Sequence, residues 1–76
     1  MSMRPDDELV SLLSQWLARH VDDGELRAGL AAAGTDGLSE RQHEALRELL
    51  AELDAGRDRG DLEMVVRETL EALALG

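Results

Sequence analysis

The sequence predicts an all-α fold, a compact bundle of four short amphipathic helices. Three observations carry the prediction. Apolar residues recur at spacings of three and four along four separate segments, capping pairs stand in front of two of them, and no segment alternates apolar and polar residues like a half-buried strand. The 76 residues leave room for one domain and one small core. Cysteine is absent, so neither a disulfide nor a thiolate metal site is available, and stability must come from helix packing or from association.

The first helix is expected over residues 5–21. Pro5 is suited to the first helical position, and Asp6, Asp7 and Glu8 follow at the positive end of the helix dipole. Leu9, Leu12, Leu13, Trp16, Leu17 and Val21 form its apolar stripe, which Val10 widens to about half the circumference. Trp16, the only aromatic residue in the chain, sits mid-stripe and is expected in the core; the second role open to it is an interface anchor. His20 falls in the last turn, where an imidazolium would face free carbonyls.

The second helix is expected over 23–33. Asp22 and Glu25 are spaced as a capping box, Leu26, Gly29, Leu30 and Ala33 share one side, and Gly34 is the natural stop. Thr35, Asp36 and Gly37 read as a turn. Ser39 and Gln42 then make a second capping box in front of a third helix over 39–55, with Gly56 as its C-terminal cap. Its core stripe is Leu46, Leu49, Leu50 and Leu53, and Glu40, Glu44, Glu48 and Glu52 line the other side. Asp54 to Asp61 reads as a polar loop, and a fourth helix is expected over 61–75. Its stripe is Leu62, Val65, Val66, Thr69, Leu70 and Leu73, with Met64 and Leu75 on the far side and i,i+4 pairs at Glu63–Arg67 and Arg67–Glu71.

The formal net charge of −9 opposes binding to nucleic acid or to an anionic membrane, and it favours solubility and basic partners. Lys, Asn, Ile, Phe and Tyr are all absent, the signature of a GC-rich coding sequence, so the use of Arg at every basic position carries no functional weight. No segment approaches the ~20 apolar residues of a membrane span. The start of the chain turns acidic without an apolar run, and a cytoplasmic location is expected.

Little points to catalysis, which needs convergent polar groups in a partly dry cleft. Glu40 and His43 form one Glu-x-x-His, whereas a di-iron bundle needs two copies with further glutamates, so no metal or cofactor is expected. The glutamate row stands out because like charges four apart are mildly destabilising and folding does not require them. Met64 adds a flexible apolar side chain of the kind frequent on adaptable surfaces. The candidate interaction residues are therefore Glu40, Glu44, Glu48, Glu52 and Met64, and none is assigned as catalytic, cofactor-binding or metal-binding.

Gly34, Thr35, Asp36, Gly37 and Leu38 resemble the Gly-x-Asp-Ser-Leu signature of acyl and peptidyl carrier proteins, which are also small acidic four-helix domains. The resemblance covers five residues. It implies a carrier-like domain, but Gly37 stands where those families have the serine that accepts phosphopantetheine. Gly24-Glu25-Leu26-Arg27 and Arg59-Gly60-Asp61-Leu62, each ahead of an apolar stripe, resemble segments of small helical adaptor domains of the bacterial death-like type. The expected function is a non-catalytic protein–protein interaction module, an adaptor, regulator or self-assembling subunit whose partner is another protein, basic by complementarity, or a second copy. The alternatives are a carrier-like domain without its serine, or an acidic decoy that occupies the groove of a nucleic-acid-binding partner.

Overall fold

A computed structural model describes residues 5–33 and 37–75, with side chains from Asp7 onward. They form α1 (Pro5–Leu17), α2 (Asp23–Ala32), α3 (Glu40–Asp54) and α4 (Arg59–Leu75), and no strand occurs among them. The Gly34 stop, the Thr35–Asp36 part of the turn and the side chain of Asp6 lie outside the described residues.

α1 starts at Pro5 as expected and ends at Leu17, four residues short of the predicted 21. Arg19 is the cause. It adopts the left-handed conformation (φ 65°), its N–H donates to the Trp16 carbonyl at 3.0 Å, and the His20 N–H donates to the Gln15 carbonyl at 2.8 Å. These two bonds make a Schellman stop, which usually has glycine where Arg19 stands. The periodicity gave no warning because Val21, past the stop, still packs against the core. His20 is thus exposed and outside the helix, and its expected place in the last turn is corrected.

α2 is capped by Asp22, whose carboxylate accepts from the Glu25 N–H at 2.7 Å. At α3 both halves of the capping box form. Gln42 N–H donates to Ser39 Oγ at 3.1 Å, and Ser39 N–H donates to Gln42 Oε1 at 2.9 Å. Gly56 (φ 68°) closes α3 with a second Schellman pair, its N–H to Leu53 and that of Arg57 to Glu52. α4 begins two residues before the predicted 61: the Leu62 N–H already bonds the Asp58 carbonyl at 3.0 Å, so Arg59 and Gly60 belong to the first turn rather than to a loop.

Every helix contributes to one core. Leu9, Leu13 and Trp16 meet Leu26 and Leu30, Leu46 and Leu49, and Leu62, Val66 and Leu73, all buried. Val10 does not join them and stays 36% exposed. The helices form a ring in which each touches the next and α4 returns to α1. The α3–α4 pair is antiparallel: a short connection joins the end of one to the start of the other, and at the far end Gln42 Nε2 donates to the Leu73 carbonyl at 3.2 Å. That bond satisfies one of the last-turn acceptors of α4 and accounts for a glutamine only 5% exposed.

Trp16, fully buried, joins three helices. Its Nε1–H donates to Asp23 at the start of α2 (2.7 Å), and the Arg59 guanidinium at the start of α4 lies 4.2 Å from its ring centroid. Arg59 also donates to the Trp16 carbonyl (2.9 Å) and to Glu63 (3.0 Å). Among the described residues no buried side-chain nitrogen or oxygen lacks a partner.

Removing the Arg59 side chain deletes a cation–π contact and two charge-assisted hydrogen bonds, to the Trp16 carbonyl and to Glu63. Arg59→Ala is expected to lower stability by roughly 1–3 kcal/mol in thermal unfolding followed by circular dichroism. Arg59→Lys should recover only part, since an ammonium lacks the planar fork that serves ring, carbonyl and carboxylate together. Unfolding of Arg59→Ala at the wild-type temperature would remove the clamp from the account. The glycines give a second check. A Cβ at Gly60 meets nothing within 4 Å, so Gly60→Ala should stabilise the first turn of α4 by about 0.5–1 kcal/mol. Gly56→Ala, at φ 68°, should shift stability the other way.

Candidate functional site

α3 and α4 pack through Leu46 and Leu49 on one side and Leu62, Val66 and Leu73 on the other, which leaves their outward shoulders facing solvent across a shallow groove of about 400 Å³. Glu44 and Glu48, one turn apart on α3, form one wall, and Glu68 and Glu71 on α4 form the other. Ala45, Val65, Thr69 and Ala72 line the space between them. The Thr69 hydroxyl is engaged with the Val65 carbonyl of its own helix (2.8 Å), so the floor is effectively apolar. Arg41 stands at the end nearest the start of α3, leaving the carboxylates in the majority by four to one.

The predicted interaction residues divide. Glu44 and Glu48 belong to the groove, while Glu40 is exposed but does not line it. Glu52 continues the row by one turn, but its carboxylate accepts from Arg57 Nε at 2.8 Å, which neutralises that end. Met64 is 62% exposed and sits one turn before Glu68 on the same side of α4, but it does not line the groove. Leu75, 66% exposed, continues the same side at the other end, four residues after Glu71.

Sequence reading missed Glu68 and Glu71. The signal was present in the spacing of Met64, Glu68, Glu71 and Leu75, which share one side of a helix, but which side of α4 would face the shoulder of α3 depends on packing. Of the expected pairs on α4, Glu63 reaches Arg67 only at 4.0 Å and bonds Arg59 at 3.0 Å instead.

Other features lead less far. Trp16 lies wholly in the core, so the interface-anchor role left open for it does not hold. Gly37 has φ 86° and open space where a side chain would project, and no hydroxyl to modify. Among the described residues no three His, Asp or Glu side chains are gathered to hold a metal ion, and no helix is long and apolar enough to cross a membrane. Away from the groove, Arg27 on α2 grips Asp54 at the end of α3 through both carboxylate oxygens. The hydrogen bond from Arg27 holds the Asp54 carboxyl below its ordinary range, and the same bond raises the guanidinium.

No protein-family model, curated protein or solved structure gives a significant match to the chain.

A lowered carboxyl contributes stability above its unfolded pKa and loses that contribution as the pH falls through the folded one. Asp54→Asn is therefore expected to lower stability slightly at neutral pH, the effect being small because the pair is exposed, and to remove that same small amount from the acid limb, so that wild type and variant converge below the ordinary carboxylate range near ~4. Urea unfolding of wild type and variant across that range tests it, and parallel profiles would mean that the pair contributes nothing.

Proposed function

We propose that this chain is a non-catalytic protein–protein interaction module, acting in the cytoplasm, that receives a basic segment of another protein in the groove between α3 and α4. The carrying observation is the pair of carboxylate walls, Glu44 and Glu48 opposite Glu68 and Glu71, over an apolar floor. Core packing accounts for Val65 and Ala72 but not for the glutamates. Glu44 and Glu48 repel each other along one helix face, at a cost of a few tenths of a kcal/mol that the fold does not need. An arrangement slightly unfavourable to the free chain and complementary to positive charge is what a site for a basic partner requires. The rest of the acidic surface steers such a partner over about a Debye length.

The test is calorimetric titration of the chain with arginine-rich and lysine-rich peptides at low and at high salt. Expected is binding that weakens as salt rises and is largely lost when Glu44, Glu48, Glu68 and Glu71 are all replaced by Gln. That variant should unfold at or above the wild-type temperature, because relief of repulsion is its only structural effect. No binding, or equal binding by the four-fold variant, would sink the proposal.

A further inference from the structure

Resting on the groove reading above, we infer that the occupant is an amphipathic helix with a narrow apolar stripe flanked on both sides by basic residues, lying along α3 and α4.

The backbone of the groove is the first reason. α3 and α4 bond their own amides along their lengths, and the one hydroxyl of the floor, on Thr69, is already turned onto the Val65 carbonyl. An extended peptide on this floor would find no row of backbone partners for its own N–H and C=O groups, which would be left to water and to the side chains of the walls. A helix brings its backbone bonds with it, which is why helix-in-groove docking suits a surface that offers no edge.

Size and charge point the same way. Ala45 and Ala72 put two of the smallest side chains where a third helix would approach, and Val65 supplies the apolar contact between them. From Arg41 to Glu48 the α3 wall is about 10 Å long at the rise of an α-helix, enough for two turns of guest. The exposed Met64 and Leu75 do not line the groove and lie before and after Glu68 and Glu71 on the outer side of α4. Carboxylates on both walls call for positive charge on both flanks of the guest stripe, not along one edge. A second copy of the chain is a poor occupant, since each copy carries a net charge of −9.

The experiment compares two synthetic peptides of identical composition, rich in Arg, Leu and Ala, by titration into the unmodified chain. In one the leucines recur at helical spacing of three and four; in the other they are shuffled so that no helical face is apolar. The patterned peptide is expected to bind roughly tenfold or more tightly, to keep much of that advantage at high salt, and to gain helical circular dichroism on binding. Amide chemical shifts of the wild-type chain should move along α3 and α4, and Ala45→Arg should abolish the advantage. Equal binding of the two peptides would overturn the helical occupant and leave the basic-partner reading intact. Binding of neither would remove both, and tight binding mapped to α1 and α2 would overturn this inference whatever the behaviour of Ala45→Arg.

Discussion

The fold hangs on the burial of one indole. Trp16 is the largest side chain in the core, and a buried Trp must find an acceptor for its Nε1–H. Asp23 supplies that acceptor from the first turn of α2, where its charge also suits the helix dipole. Arg59 closes the other side, its guanidinium over the ring and one of its N–H groups on the Trp16 carbonyl. That carbonyl also accepts from Arg19, the residue that stops α1, so the end of one helix and the starts of two others are settled within a single cluster. The left-handed Arg19, which carries a conformational penalty of about 1–2 kcal/mol, is tolerated where the surroundings over-determine the turn.

The bundle is consequently tied differently at its two ends. The cluster around Trp16 and the Arg27–Asp54 pair lie where α1 and α3 finish and α2 and α4 begin. At the opposite end a neutral bond from Gln42 to Leu73 joins α3 to α4 and uses a capping residue as a bridge between helices. The groove runs between these ends, on two helices held at both. Its walls owe nothing to the core, and a basic guest would replace the mutual repulsion of the glutamates with attraction while leaving the packing beneath unchanged.

Much of the architecture was legible. Four apolar stripes give four helices, Ser39 with Gln42 and Gly56 mark caps that form as read, and of the Asp22–Glu25 box the Asp22 half forms. These are local features, determined by residues within one or two turns of each other. The misses are non-local. α1 stops at a residue with no helix-ending tendency because Trp16 and Arg59 organise the turn around it. Arg59 was read as part of a polar loop, although it is a helix residue bonded to an atom forty-three positions earlier in the chain. Half of the candidate site was visible as the α3 glutamate row. The other half, Glu68 and Glu71, required knowing how α4 is rotated against α3, which an amphipathic stripe gives only to within a residue or so.

Because Trp16 is the only aromatic residue, the chain carries a single chromophore of its kind, and it sits at the junction of α1, α2 and α4. A cation stacked on one face of the ring and a carboxylate on its nitrogen bear on the energy of its excited state, so its emission reports on the surroundings of that junction. The amide bands report all four helices together. One cuvette therefore yields two independent views of the same molecule, one of the whole backbone and one of the corner where three helices are joined, without a label or a substitution.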